Sequence, residues 1–513
     1  MFDKISSFLK NTAIYGVVGS ARSFIEFFLL PLYAKFLTPA DFGVLDVIMI
    51  YIMLGSVVAI LEITNAAFRF YFDNDDNQYR KKVMTSAIFS ATINSLAVFA
   101  ITLLLANHLS GYFLGTLNYS RLFVLAGSYI LLDASLTLPL NLLRIENKAF
   151  RYTAVSLFQI LVSVSGVVVF VVWLKYGVAG ILIAKSIAMI PTLIICLVWA
   201  RSYLSFNIDF NLLKKMLKFS LPLIPAGMAI WGINGLNRLF MLHYLTLDQI
   251  GLFSIAAKFT VLITLTVIAF QLAWPQFAFA NMNSKDAAAI FGKIFNISLA
   301  LGIWLVLFIT SFSGFFIQYA MAAEFEPAIV AVVPLSLGML MYGLFYFFMT
   351  SDTIEKKTSA IVIPLSLAIV TDIALNLILT PRFGFLGTAW VAFAAYTVMA
   401  LAMYLRTWRS RFITLDWPKL SRLVIPSAIL IILVSFWMEI NTVGMLIVKT
   451  IVFLSYPFLL RLTGFINKEN LGHIKRLMQR SSNIKSGEAA RCVELQEDLI
   501  MTAAQSNSET PVG

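Results

Sequence analysis

The chain has 513 residues, of which 60% are hydrophobic and only 12% are charged. An average soluble domain has about 25% charged residues, so this composition excludes an ordinary soluble protein. The net charge of +12 at pH 7 would suit a nucleic-acid-binding protein, but the cations are spread over the loops between apolar stretches, where membrane topology explains them. We therefore predict a membrane protein with no nucleic-acid partner.

Apolar stretches follow one another from the first residues to about residue 463, and each is long enough to cross a hydrocarbon core of about 30 Å. They predict an all-α polytopic membrane protein with about 14 transmembrane helices. We place the spans at 12–36, 43–70, 83–106, 121–143, 152–174, 178–201, 217–244, 250–280, 290–320, 327–350, 359–380, 384–405, 420–438 and 442–462.

The basic residues between these spans predict the orientation of the chain. With fourteen spans and the N-terminus inside, 29 lysines and arginines fall in inside segments and four in outside loops. Cytoplasmic loops carry such an excess of lysine and arginine. Both termini are therefore predicted to be cytoplasmic.

Three short motifs occur twice, at offsets of 207 to 209 residues. Residues 37–44 (LTPADFGV) return as 245–252 (LTLDQIGL), residues 145–148 return as 354–357, and residues 175–180 return as 382–387. Because six spans separate the copies, the repeats are parallel and are expected to face each other across a shared cavity. We predict four parts: lobes of six helices at 1–203 and 204–410, two additional helices at 411–465, and a largely disordered cytoplasmic tail at 466–513.

Ionisable residues inside spans are rare and costly, and each one suggests a functional site. For two of them, Arg238 and Lys258, no carboxylate lies within one helical turn, and buried cations of this kind favour an anionic ligand such as phosphate. Arg22 and Glu26 are four residues apart and could simply form an internal ion pair. Lys185 and Lys449 fit snorkelling or a local pair better than ligand contact. Glu62 is a further charge predicted to lie near the middle of its span.

A second polar group is predicted in the later spans. Asp372 and Asn376 are one helical turn apart, Thr388 opens the next span, and Asn234 lies in the seventh. Their oxygens suit Na⁺, or Asp372 alone could carry a proton. The alternative is that these side chains only form hydrogen bonds between helices.

Enzyme motifs are missing from the sequence, which has no Gly-rich phosphate loop, zinc-ligand spacing or nucleophile elbow. The acidic run at 73–76 resembles a metal–nucleotide motif of glycosyltransferases, but it lies in a short basic loop with no flanking domain and fits a solvated loop. We predict that the protein is not an enzyme and that it has no metal site and no cofactor beyond a coupling Na⁺ or H⁺.

Four stretches together resemble a known family: residues 10–13 (KNTA), 37–43 (LTPADFG), 219–225 (FSLPLIP), and Asn237-Arg238 followed by 245–251. They are similar to the Wzx-type flippases of polysaccharide biosynthesis, which belong to the multidrug/oligosaccharidyl-lipid/polysaccharide (MOP) superfamily. The resemblance covers roughly residues 8–463.

This resemblance implies a V-shaped pair of six-helix lobes, with two C-terminal helices, in the bacterial cytoplasmic (inner) membrane. Such proteins move undecaprenyl-diphosphate-linked oligosaccharides, such as O-antigen units, to the outer leaflet by alternating access. The implied partners are the polyprenyl-diphosphate-linked glycan, membrane lipid, a polysaccharide polymerase and a chain-length regulator.

The resemblance also assigns roles to residues. In relatives, cavity cations hold the diphosphate, which maps here onto Arg22, Arg238 and Lys258, with Glu26, Glu62 and Lys185 as further cavity charges. Related lipid II flippases bind Na⁺ between the seventh, eleventh and twelfth helices, which maps onto Asp372, Asn376, Thr388 and Asn234. The order of Asp and Asn on the eleventh helix departs from that pattern, and Asn237 stands where many relatives have Asp.

Two other functions remain open from the sequence. A multidrug exporter of the same superfamily would share the repeat, but that branch typically has twelve spans and buried acids for cationic drugs. A membrane glycosyltransferase or polymerase would need a sizeable outer loop or an acid-rich catalytic site, and the sequence shows neither.

Overall fold

The computed structural model describes residues 23–465, apart from 147, 206, 283, 285, 356, 358–360, 410–411, 439 and 441. The described part of the chain is almost entirely helical and contains no strand, which confirms the all-α prediction. Arg22, the start of the first predicted span and the predicted tail at 466–513 lie outside the described residues.

Short turns join the helices of the first repeat. In chain order they are α1 Ser23–Ala34, α2 Pro39–Ile60, α3 Ile63–Tyr71, α4 Asn77–Leu114, α5 Ser120–Ile145, α6 Ala149–Val167 with a π-helical end at Val168–Trp173, and α7 Gly177–Ala200.

The helices of the second repeat follow a short linker. They are α8 Phe210–Ser220, α9 Ile224–Tyr244, α10 Leu247–Phe259, α11 Val261–Asn281, α12 Ala287–Ala320, α13 Ile329–Ile354 and α14 Val362–Arg409; the final pair is α15 Trp417–Phe436 and α16 Val443–Leu462.

The predicted number of fourteen spans is not confirmed. Among the described residues, 11 helices are long and apolar enough to cross a membrane. The predicted spans 359–380 and 384–405 both lie in α14, which is interrupted at Gly384. The single span predicted at 43–70 is wrong, because Leu61 and Glu62 adopt left-handed φ angles of 49° and 55°. These two residues end α2, and the short amphipathic helix α3 begins after them.

The repeated LT turn begins a helix in both halves of the chain. The Thr38 side chain accepts a hydrogen bond from the Asp41 backbone N–H, and the Asp41 carboxylate accepts one from the Thr38 N–H at 2.9 Å. This capping box satisfies backbone donors that the first helical turn leaves unpaired. In the second copy, Thr246 caps α10 by accepting from the Gln249 N–H.

The glycines of the same motif bring the two repeats into contact. A Cβ added to Gly43 would lie 1.9 Å from the Leu247 carbonyl oxygen, and one added to Gly251 would lie 1.8 Å from the Pro39 carbonyl oxygen. Gly43 and Gly251 are repeat equivalents, 208 residues apart. Helices α2 and α10 therefore cross backbone to backbone about a local two-fold axis.

The third repeated motif forms the same tight turn twice. Gly177 and Gly384 have φ angles of 56° and 61°, a conformation that glycine adopts without steric cost. Three residues further on, Gly180 and Gly387 each pack closely on a backbone carbonyl of the preceding segment. The matching sequence at 175–180 and 382–387 thus has matching structural roles.

The described chain divides into two compact units. The first contains residues up to 415 together with 430–453, and so it includes both repeats. Within it, the buried Lys449 donates to the carbonyl oxygens of Met438 and Ile440 at 3.4 and 3.0 Å. These partners lie close in the chain, in keeping with the local pairing predicted for this lysine. The second unit joins 416–429 to the residues from 454 onward, and in it Ser427 donates to the Tyr456 hydroxyl at 3.2 Å.

Alanine at either crossing glycine tests the contact between the repeats. Because each new Cβ meets a backbone oxygen that cannot rotate away, Gly43→Ala and Gly251→Ala should each destabilise this arrangement by about 1–3 kcal/mol, the usual cost of overpacking. The midpoint of thermal unfolding of the purified protein in detergent should fall in both variants. Gly111→Ala is the control, since its Cβ would meet nothing nearer than 3.8 Å. A wild-type midpoint in both variants would contradict the close approach.

Candidate functional site

Glu26 on α1 is the centre of a charged cluster. It accepts a hydrogen bond from Lys185 Nζ of α7 at 3.0 Å. Lys258 Nζ of α10 lies 3.8 Å from the other carboxylate oxygen, which is too far for a hydrogen bond but close enough for strong Coulomb attraction. One carboxylate is thus shared by two lysines that come from different repeats.

Lys258 is the more open of the two lysines. Its side chain keeps 44% of its surface accessible, compared with 15% for Lys185. Its neighbours on α10 are buried, including Ser254, Ile255 and Phe259. Lys258 is therefore an accessible cation on an otherwise buried helix.

Arg238 on α9 forms the second cross-repeat pair. Its Nε donates to Asp46 Oδ2 of α2 at 2.9 Å, and the guanidinium carbon lies 5.9 Å from the centre of the Phe253 ring. The other oxygen of Asp46 is 3.4 Å from the Ser254 hydroxyl. Asp46 and Ser254 are 208 residues apart and are therefore repeat equivalents, so this pair lies at the same local two-fold axis as the crossing glycines.

The sequence shows no carboxylate within one helical turn of Arg238 or Lys258, and the structure supplies their acidic partners from other helices. Each cation has a carboxylate from another helix, and this pairing lowers the free-energy cost of burying the charge. Lys185 also finds its partner on another helix rather than nearby in the chain. The described cluster still contains three cations and two carboxylates, an excess of one positive charge. Arg22, the other partner proposed for Glu26, lies outside the described residues.

Glu62 does not join this cluster. It lines a cavity of about 460 Å³ in the first repeat, together with Asp133, Tyr129 and apolar residues of α2. Its carboxylate accepts a hydrogen bond from Asn65 at 2.6 Å. Glu26 and Lys185 line a different, smaller cavity of about 40 Å³.

A buried polar network joins α9 to both halves of α14. Asn376 Nδ2 donates to Asp372 Oδ1 at 2.6 Å and to Asn237 Oδ1 at 2.8 Å. Thr380 donates to Asn376 Oδ1 at 2.6 Å, and its hydroxyl is 3.0 Å from that of Thr388. All five side chains are buried. The sequence prediction placed Asp372, Asn376 and Thr388 together, and the structure does bring them together.

Two members of this network were missed from the sequence. Asn234 was expected to contribute, and its side chain is not among those described; Asn237, one turn further along α9, makes the contact. Thr380 was also missed, although its position one turn after Asn376 on the same face is a usable signal. Asp46 belongs to neither of the site groups predicted from the sequence, because only the packing of α2 against α9 brings it to Arg238.

Helix α9 connects the charged cluster to the polar network. Arg238 pairs with Asp46, while its neighbour Asn237 bonds to Asn376. Consecutive helical residues point in directions about 100° apart, so one helix presents one side chain to each site. A movement of α9 would change both sites together.

Two of three comparisons with known proteins match the chain. No curated protein sequence matches it significantly. Its structure resembles that of the lipid II flippase MurJ in an inward closed conformation, with a TM-score of 0.65 and 15% identity over 87% of this chain and 98% of MurJ. It also resembles a multidrug-resistance MATE transporter of the MOP superfamily in an inward-facing conformation, with a TM-score of 0.61 and 14% identity over 77% and 94% of the two chains.

A Vibrio cholerae MATE transporter has a TM-score of 0.55 and 13% identity over 80% of this chain and 98% of its own. At these identities the structural likeness establishes the fold. Residues 32–330 match the sequence family described as "Polysaccharide biosynthesis protein", which covers more than half of the chain. The protein is therefore a multi-pass membrane protein with the fold of the MOP transporter superfamily, and it belongs to the polysaccharide biosynthesis protein family.

Proposed function

We propose that the protein is a flippase for polyprenyl-diphosphate-linked oligosaccharide repeat units. It would move them across the bacterial cytoplasmic membrane by alternating access, for the biosynthesis of a surface polysaccharide such as O-antigen. The family and the fold shared with a lipid II flippase support this proposal. The observation that carries it is the excess of positive charge where the two repeats meet, around Arg238, Lys258 and Lys185.

A diphosphate is a better partner for these cations than a single carboxylate. It brings more negative charge, and its oxygens match the planar donor fork of arginine. It would therefore compete with Asp46 for Arg238 and with Glu26 for Lys258. Both carboxylates lie on the first repeat and both cations on the second, so binding would loosen the ion pairs between repeats. In the absence of substrate, Asp46 and Glu26 offset two of the three positive charges.

This competition links binding to conformational change. A ligand shifts a conformational equilibrium only by the difference in its affinity for the two conformations. In one conformation the cations are engaged in ion pairs between the repeats, and the substrate would bind more tightly to the conformation in which they are free of those pairs. The polyprenyl tail would remain in the bilayer while the head group crosses. Arg22, which precedes α1 in the sequence, would add a further cation from the first repeat.

Topology and partners complete the proposal. The excess of lysine and arginine in alternate loops supports cytoplasmic termini. The substrate would be delivered in the cytoplasmic leaflet, and a polysaccharide polymerase and chain-length regulator would act on it after transport. The protein itself would perform no covalent chemistry and would not be an enzyme.

The polar network is the proposed coupling site for Na⁺ or H⁺. Asp372, Asn376, Thr380 and Thr388 carry carboxylate, amide and hydroxyl oxygens, which are the hard donors that such cations take in proteins. The fit to Na⁺ rests on these donor types. Oxygens of Asn376, Thr380 and Thr388 follow one another at 2.6 and 3.0 Å, and the Asp372 carboxylate is bonded to the Asn376 amide N–H. A bound Na⁺ would supply positive charge beside Asp372. A proton on Asp372 would do the same without other ligands.

A cation-coupled multidrug exporter of the same superfamily is the second candidate. The cavity that Glu62 and Asp133 line among apolar side chains has the chemistry that a cationic drug would need. The junction between the repeats favours the flippase, because its net positive charge repels such drugs. Drug sensitivity of a deletion strain separates the two functions.

Removing a junction cation tests the flippase directly. Deletion of the gene in its host should abolish the surface polysaccharide. Expression of Arg238→Ala or Lys258→Ala in the deletion strain should restore at most about one tenth of the polysaccharide that the wild-type protein restores, as expected when a charge-assisted contact to the substrate is lost. Polysaccharide on gels and protein in membranes by immunoblot are the measurements.

Lys214→Ala is the matched control, since Lys214 is exposed on α8, and it should restore the polysaccharide fully. Wild-type polysaccharide from both cation variants, at wild-type protein levels, would remove the basis for the diphosphate site. Drug hypersensitivity of the deletion strain with normal polysaccharide would favour the exporter.

Asp372→Asn tests the coupling site. The amide keeps the size of the side chain and much of its hydrogen bonding but removes the charge, so transport should fall and should lose its response to the coupling ion. Polysaccharide output would be measured with and without Na⁺ and with a protonophore, using the exposed Asp75→Asn as control. Output that is unchanged by Asp372→Asn, by Na⁺ removal and by collapse of the proton gradient would contradict coupling at this site.

A further inference from the structure

We propose that Tyr342, Tyr346 and Tyr396 form the surface that binds the saccharide of the lipid-linked substrate. This inference rests on the proposed function, because it needs a diphosphate held at Arg238. The ligand class is a polar oligosaccharide whose first sugar follows the diphosphate. The three tyrosines, called the tyrosine cluster below, come from α13 and from the second half of α14.

The cluster has a defined geometry. The hydroxyls of Tyr342 and Tyr346 are 3.1 Å apart, and their rings are edge to face with centres 5.0 Å apart. The Tyr396 ring lies 5.3 Å from that of Tyr342. All three side chains are partly buried. A hydroxyl pair that is bonded to itself still has one hydrogen to donate and lone pairs to accept.

The cluster is connected to the helix that carries Arg238. Tyr396 is eight residues beyond Thr388 on α14, and Thr388 belongs to the network in which Asn376 bonds to Asn237, the neighbour of Arg238 on α9. The position of the Tyr396 ring is fixed by close packing, because a Cβ added to Gly338 on α13 would be 3.4 Å from a Tyr396 ring carbon. A sugar attached to a diphosphate at Arg238 would extend toward this cluster.

The two faces of α13 differ in the chemistry of their side chains. Phe347 lies on the other face, is fully buried, and stacks on Trp274 with centres 4.4 Å apart. That face uses phenylalanine, as an apolar contact requires. The face with Tyr342 and Tyr346 carries hydroxyls instead, which bond to each other and keep a hydrogen and lone pairs for a further polar group.

Sugars supply both kinds of contact that tyrosine offers. The C–H face of a pyranose ring is apolar and stacks on an aromatic ring, while its hydroxyls donate and accept hydrogen bonds. Tyrosine combines an apolar body with a polar end. The cluster would thus select the glycan, whereas Arg238 and Lys258 bind the diphosphate that all such substrates share.

Two probes separate the two sites. One is the polyprenyl-diphosphate oligosaccharide extracted from membranes of the host lacking this gene, and the other is undecaprenyl diphosphate without sugar. Binding of each to the purified full-length protein in detergent would be measured by native mass spectrometry. Tyr342→Phe and Tyr346→Phe keep the ring packing and remove one hydroxyl each, and Tyr396→Leu removes a ring.

The tyrosine variants should weaken binding of the glycan-bearing lipid and leave undecaprenyl diphosphate unaffected. We expect losses of about 2- to 12-fold for each Tyr→Phe variant, as for one lost hydrogen bond, and a larger loss for Tyr396→Leu. Arg238→Ala should weaken both probes. The control is Tyr112→Phe, at a tyrosine with 85% of its surface exposed, which should change neither.

Equal losses for both probes, or no loss for either, in variants with a wild-type thermal midpoint would overturn the saccharide site. Equal affinity of the wild-type protein for both probes would also overturn it while leaving the diphosphate site intact. Failure of the wild-type protein to bind either probe would contradict the proposed function itself, and the saccharide site with it.

Discussion

A charged side chain inside a membrane must have a partner, and in this protein the partners lie across the boundary between the two repeats. Asp46 and Glu26 on the first repeat neutralise Arg238 and Lys258 on the second. The same side chains that reduce the cost of burial therefore also hold the repeats together. Any anion that replaces a carboxylate exchanges one partner for another and changes the contact between repeats.

The backbone makes this arrangement possible. Gly43 and Gly251 let α2 and α10 cross so closely that Asp46 and Ser254, one turn further along each helix, meet at the local two-fold axis. Helix α9 then extends the effect, because Asn237 and Arg238 are adjacent and serve different sites. An event at Asp372 and an event at the junction cations are thus mechanically connected through one helix.

The repeat was predictable from sequence because its motifs act locally: a threonine cap, a glycine with positive φ and a close helix contact each need particular residues at fixed spacing. The group around Asp372 was largely predictable for the same reason, since helical spacing sets which side chains share a face. The partners of Arg238 and Lys258 were not, because they come from helices far away in the chain. The break at Leu61 and Glu62 was also missed, since neither glycine nor proline marks it.

The most direct test is transport by the purified protein in liposomes that contain the lipid-linked oligosaccharide from the deletion strain. Periodate added outside cannot cross the bilayer and oxidises only sugar that is exposed on the outer surface. With the wild-type protein, oxidation should proceed beyond the outer-leaflet share seen in protein-free liposomes, and with Arg238→Ala it should stop at that share. If oxidation in liposomes with the wild-type protein stops at the level seen in protein-free liposomes, the protein is not a flippase for this lipid.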